Sequence, residues 1–195
     1  MDEGLVKIRN ARSRKDFPFL KLEDDEYVEF AFKRAKSHLM FVLGGLAFGL
    51  VIVLLAFLLV IMGQDVLDDM GRHFLYIILA TLVAAVFFAG VFAIKIYNGN
   101  RLFITNKHAI QLVKTSPMSG SVNMIDLSSI EDASFSRNGL IQTMFHYGTF
   151  RLSTVGDETT YTFPYADISP SELKEVSDLI TEAKKKYRTN KNGET

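Results

Sequence analysis

The 195-residue chain contains no cysteine, only four prolines, and no surplus of either charge, with 22 basic side chains against 22 acidic ones. Without cysteine there is no disulfide framework, thiolate zinc site, iron–sulfur cluster or cysteine nucleophile. A net charge of zero argues against a nucleic-acid binder, which needs excess cations to displace phosphate counterions. G-x-S-x-G, Walker and G-x-G-x-x-G patterns are also missing. The four histidines, His38, His73, His108 and His146, form no metal-type pair by spacing. The acidic run Glu23-Asp24-Asp25-Glu26 reads as a solvated face rather than a metal site. Lys184, Lys185, Lys186 and Arg188 read as a solvated helix end, where positive charge suits the dipole, with anionic lipid as a lesser alternative. The expectation is a protein that is not an enzyme and needs no cofactor or metal.

Two long apolar runs dominate what is present. Residues 39–62 carry no charged, amide or hydroxyl side chain, and residues 74–94 carry only the Thr81 hydroxyl and the Tyr76 phenol. The first run makes roughly 36 Å of helix, against a bilayer hydrocarbon core of about 30 Å. Soluble core helices of this length normally show a polar face. The first run is also too long and too far from the N-terminus for a signal peptide, so it should be retained. Residues 63–73 hold Asp65, Asp68, Asp69 and Arg72 and must turn in water as an external loop. Lys33, Arg34 and Lys36 precede the first run and Lys95, Arg101 and Lys107 follow the second, which predicts a multi-pass protein of the cell membrane with both termini cytoplasmic. Neither run carries an ionisable group, so a monomeric transporter or pump is not expected. Gly45 and Gly49 on one helix, and Ala85 and Ala89 on the other, are candidate packing positions, either within the hairpin or between two copies.

Beyond the second run the chain reads as short strands and one helix. Residues 101–105 and 108–113 flank Asn106-Lys107 as a hairpin, and further strands are expected at 122–127, 130–134, 147–154 and 160–163. Turn formers separate them at Ser116-Pro117, Arg137-Asn138-Gly139 and Gly156-Asp157. Ser169-Pro170-Ser171-Glu172 is a capping box with proline at the first helical position, followed by Leu173, Val176, Leu179, Ile180, Ala183 and Tyr187 at helical spacing.

The stretches "NRLFITNKHAIQL", "MIDLSSIEDASFS" and "GLIQTMFHYGTFRLST", with the helix after them, resemble the bacterial pleckstrin-homology domains of the YdbS-like membrane protein family. The "LEDDEYVEFAFKRAKSH" stretch, residues 22–38, is similar to that family's lead-in to its first span, so the likeness covers residues 22–187. It implies a membrane helical hairpin plus a pleckstrin-homology-like β domain, a bent antiparallel sheet or barrel closed by the C-terminal helix. In the family's pattern Asn100, Arg101, Leu102 and Thr105 open the first hairpin, and Tyr147, Gly148 and Thr149 start a later strand, all with structural roles. Phosphoinositide-binding relatives of this fold use several cations at the first strand turn. Here that turn offers Lys107 alone, which argues against specific inositol-phosphate binding.

The expected organisation is therefore a cytoplasmic segment 1–38, helices 39–62 and 74–94 around the loop 63–73, a cytoplasmic domain 99–187 and a polar tail 188–195. The domain should sit close to the bilayer, because seven steps from Ile94 to Arg101 reach at most about 25 Å. Leu140, Ile141, Met144 and Phe145 are more apolar than a strand connection requires. They are a candidate interaction loop, unless they pack over one end of the sheet. Two function classes follow: a membrane-tethered interaction module binding a protein or lipid surface, or an accessory or homo-oligomer-forming subunit assembled through the hairpin. The partners expected are the lipid bilayer and a protein at the membrane, with no nucleic acid.

Overall fold

The computed structural model describes residues 3–62, 69–154 and 160–193. Residues 63–68 of the expected external loop and the Gly156-Asp157 turn lie outside them. The chain runs α1 (Glu3–Asp16), β1 (Val28–Lys33), α2 (Lys36–Met62), α3 (Asp69–Gly99), β2 (Arg101–Thr105), β3 (His108–Lys114), β4 (Gly120–Asp126), a 3-10 turn (Leu127–Ser129), β5 (Ile130–Ser136), α4 (Leu140–Met144), β6 (Gly148–Thr154), β7 (Thr160–Ala166) and α5 (Pro170–Gly193).

Helices α2 and α3 are both long and apolar enough to cross a membrane. They are antiparallel neighbours, with Phe57 against Tyr76 (ring centroids 5.7 Å apart) and His38 against Tyr97 (5.8 Å). Leu43, Leu46, Leu50, Val53 and Phe57 are half-covered, as are Leu75, Leu79, Val86 and Gly90 on α3. That spacing is the stripe one helix turns toward another. Gly45, Ala85 and Ala89 lie on exposed faces and Gly49 is half-covered, and a Cβ added to Gly45 or Gly49 would meet nothing within 4 Å. Large side chains, rather than the small-residue rows, thus form the contact within the hairpin.

The strands form two antiparallel sheets, β1-β2-β3-β4 and β5-β6-β7, rather than one continuous closed barrel. The 3-10 turn, with the Asp126 carboxylate accepting from Ser128 N at 2.7 Å, interrupts the ladder between β4 and β5. On the other side the chain just after β1 meets β7 through an Arg34–Ala166 bridge and the Ala35 N to Tyr165 O bond of 2.7 Å. Helix α5 packs against β5 and the 3-10 turn, covering one opening. Its start is the expected capping box: Ser169 N donates to the Glu172 carboxylate (2.8 Å) and Glu172 N to Ser169 Oγ (3.2 Å). Val176 and Ile180 are buried, whereas Tyr187 is exposed. The helix continues to Gly193 through much of the expected polar tail.

The main core joins the two sheets and α5 through Phe32, Leu102, Ile104, Leu127, Ile130, Phe150, Leu152, Phe163 and Val176. A second cluster on the other face of the first sheet packs Leu20, Leu22 and Phe17 over Phe103 and Ile110. Burial on both faces explains why β2 reads as nearly continuous apolar sequence.

Helix α1 and strand β1 are not expected from the sequence, nor are α4 and the 3-10 turn, and β1 moves the domain boundary. The sheet does not begin at residue 99: Phe32 lies opposite Leu102, and Lys33 opposite Arg101. Residues 1–38 therefore contribute an edge strand and a cover. Helix α1 has no apolar stripe, and buried polar side chains hold it instead: Asn10 Nδ2 donates to the carbonyls of Glu23 (2.6 Å) and Glu26 (2.5 Å), and Ser13 Oγ accepts from Val28 N (3.0 Å).

Gly148 begins β6 where the sheet is tightest. A Cβ there would collide with the Ser136 carbonyl and lie 2.8 Å from the Phe135 ring. Gly148→Ala is expected to lower stability by about 1–3 kcal/mol, the usual cost of overpacking. Urea unfolding of the full chain in mild detergent measures it, and an unchanged midpoint would contradict the crowding.

Candidate functional site

The chemistry-bearing residues gather where the two long helices meet the sheets. Only Arg34 and Ala35 separate β1 from α2, and only Asn100 separates α3 from β2. Both joints are tied. Tyr97 Oη donates to the Ala35 carbonyl (2.7 Å), and Asn100 donates to the carbonyls of Ile96 (2.6 Å) and Lys114 (3.1 Å) while accepting from Lys114 N (3.1 Å). His38 stacks on Tyr165 at 3.6 Å between centroids, and Tyr147 closes on His38 edge-first at 5.7 Å. Tyr165 itself has φ of 61°, an uncommon left-handed conformation for an aromatic residue, which its carbonyl bond to Ala35 and the His38 stack hold in place.

Arg34 sits inside this aromatic joint, its guanidinium carbon 5.6 Å from the Tyr97 ring centre and 5.7 Å from that of Tyr165. Burial pushes its pKa below the ordinary arginine value, and the tyrosine rings only partly oppose that shift. Its Nε is buried without a hydrogen-bond partner among the described residues. Arg34 also lines a cleft of about 600 Å³ with Lys33, Lys36, Ser37, Phe145, Asp167 and Glu172. Sequence reasoning counted Lys33, Arg34 and Lys36 only as flanking charge. Nothing local in the sequence signals that β7 and α5 bring Asp167 and Glu172 to the same place.

The candidate interaction loop borders this cleft. Leu140, Ile141, Met144 and Phe145 are 89%, 54%, 67% and 39% exposed, so the segment forms a short helix that stands off the sheet instead of packing over it. Phe145 meets Phe41, one turn into α2, edge to face at 4.8 Å. The β3–β4 turn leaves the sheet at the same end, beside Asn100, and carries the fully exposed Met118.

At the opposite end lies the β2–β3 turn. Lys107 there is already paired, with Glu23 at 2.6 Å and Asp25 at 2.7 Å. The Lys107 hydrogen bond holds the Asp25 carboxyl below its ordinary value. Burial pulls the Lys107 amine down, but the bonds from Asp25 and Glu23 outweigh it and leave the amine raised. Behind this pair Glu26, 1% exposed, accepts from Thr105 Oγ1 (2.7 Å) and Glu23 N (3.2 Å) and faces His108 Nδ1 at 2.8 Å. The acidic run is thus not wholly a solvated face: it fastens the N-terminal segment to the β2–β3 turn. Among the described residues no group of three or more histidines and carboxylates is placed to hold a metal ion.

No family model matches the chain, and no curated protein matches it. Among solved structures the chain is similar to a DUF1696 family protein with a pleckstrin-homology domain from Shewanella loihica PV-4. The identity is 12%, the TM-score 0.32, and the match covers 44% of this chain and 70% of that one. A superposition this loose transfers neither residues nor ligand.

Proposed function

We propose that this chain is a non-enzymatic, membrane-tethered module: α2 and α3 span the cell membrane, both termini are cytoplasmic, and the pleckstrin-homology-like domain meets a protein or lipid surface at the cytoplasmic face. The observation that carries this reading is the pair of tied joints. With one or two residues between helix and strand and a buried Tyr97–Ala35 bond across them, the domain has no linker on which to swing away from the helices. Phe145, just past α4, touches Phe41 of α2, so the exposed apolar side chains of α4 lie beside the first helix. Such tethering favours ligands already concentrated there.

A cysteine-free chain permits a direct test. Single cysteines at Gln64 and the exposed Ser121, probed with an impermeant thiol reagent on intact cells, are expected to react at position 64 and stay silent at position 121 until the membrane is opened. Labelling with the reverse pattern would overturn the orientation and, with it, the proposed site of action.

A second reading, an assembly subunit or homo-oligomer, draws on the open face of α2, where Gly44, Gly45 and Gly49 leave room for a close helix. Gly45→Leu separates the two readings. Loss of co-purifying partners or of self-association in mild detergent favours assembly, while their loss only on Leu140→Ser with Ile141→Ser favours the module.

A further inference from the structure

Arg34 is a guanidinium without an anion. No carboxylate pairs with it among the described residues, and its Nε is orphaned, yet it sits half-buried between two tyrosine rings. Leaving a charge in such a place is costly unless something outside the protein satisfies it. The cleft it lines brings three cations, Lys33, Arg34 and Lys36, against two carboxylates. The balance in the cleft therefore favours an anion, and a guanidinium fork beside two ammonium groups is suited to phosphate.

The position of the cleft selects the source of that phosphate. Lys36 and Ser37 open α2, and the uninterrupted apolar sequence begins two residues later at Leu39. If α2 spans the membrane, the cleft lies at headgroup level. Its rim includes an aromatic ring: Phe145, just past α4, lines it and also touches Phe41 of α2, which sets the exposed apolar side chains of α4 beside the first helix. A water-soluble phosphate would need no such rim, whereas a lipid supplies a headgroup for the cations and acyl chains for Ile141, Met144 and Phe145.

We propose that this cleft is a binding site for an anionic phospholipid of the cytoplasmic leaflet, with the lipid phosphate on Arg34, Lys33 and Lys36 and the apolar face of α4 among its acyl chains. The site lies at the opposite end of the domain from the Lys107 turn. It rests on the spanning reading given above for α2.

The full chain in neutral detergent tests the headgroup. Phosphatidylglycerol is expected to raise its unfolding temperature, while phosphatidylcholine and inorganic phosphate leave it unchanged. Lys33→Gln with Lys36→Gln, both exposed, should weaken phosphatidylglycerol affinity about thirtyfold, the effect of removing two cations at a lipid surface. Because the chain has no tryptophan, Met144→Trp is a clean depth probe in nanodiscs. Lipids brominated on their acyl chains should quench it, and should not quench a tryptophan at Ser128. Equal shifts with phosphatidylcholine, an equal shift with inorganic phosphate, an affinity unmoved by the lysine changes, or no quenching at position 144 would each overturn the proposal. The cysteine-labelling test keeps the two ideas apart: a correct topology with a failed lipid response removes the lipid site alone.

Discussion

A chain that begins at Asn98 is expected not to fold. It would retain six strands and the terminal helix, but it would lose β1, the neighbour of β2, and with it Phe32, which packs against Phe150 at 6.2 Å. It would also lose Phe17, Leu20 and Leu22, exposing Phe103 and Ile110, which are completely buried in the intact protein. Each large apolar side chain lost from a core costs about 2–5 kcal/mol. A domain's whole stability is about 5–15 kcal/mol, so the loss of several exceeds it. Circular dichroism and a denaturant titration read the outcome. By contrast, a chain in which residues 37–96 are replaced by a short Gly/Ser link should be soluble and unfold cooperatively, because Ala35 and Tyr97 are already hydrogen-bonded neighbours. Cooperative unfolding of the Asn98 chain would show that the N-terminal segment is dispensable.

Glu26→Ala is expected to destabilise the full chain by about 1–3 kcal/mol, the cost of leaving buried polar groups short of a hydrogen-bond partner. The Glu26 carboxylate meets a hydroxyl, an imidazole and a backbone N–H within 2.7 to 3.2 Å, and its removal takes a partner from each, although Thr105 Oγ1 keeps the His108 carbonyl at 3.0 Å. Glu26→Gln keeps the shape and the acceptor oxygen and should cost less. Unfolding in mild detergent measures both, and a double-mutant cycle with His108→Ala isolates the pair. A loss under 1 kcal/mol for Glu26→Ala would mean that the turn is held by the Lys107 ion pairs and Asn106 instead. Those contacts, Asn106 Oδ1 accepting from Tyr27 N at 2.9 Å among them, join the same two segments.

These two expectations share a cause that local pattern does not reveal. In "LEDDEYVEFAFK" the acidic residues look alike, yet Glu26 is buried while the Asp24 side chain is fully exposed and only meets Arg14. Their difference is set by Thr105 and His108, some eighty positions along the chain. The alternation of Glu29, Phe30, Ala31 and Phe32 is a strand signal in hindsight, but it precedes an apolar helix and its partner strand lies beyond the second helix. Charge next to an apolar run is also a topological signal, and that reading hid Arg34 as a cleft residue.

The elements whose causes are local were determined by the sequence itself. Two uncharged runs long enough to cross a bilayer make α2 and α3. The Asn106-Lys107 turn makes the first hairpin, and Ser169 with Glu172 starts α5, because each depends on side chains within a few residues of one another. What only the tertiary structure decided depends on distant chain segments meeting. The return of residues 28–33 to pair with 101–105 makes the N-terminal segment part of the domain. The 3-10 turn at Leu127–Ser129 and the lone Arg34–Ala166 bridge leave two sheets where the resemblance implied one bent sheet or barrel. Hairpin packing runs through leucine, valine and phenylalanine, the half-covered positions of each helix, rather than through Gly45, Ala85 and Ala89, which lie on exposed faces. Leu140, Ile141 and Met144 likewise stay exposed, outside the core that Phe150 and Phe163 help to fill.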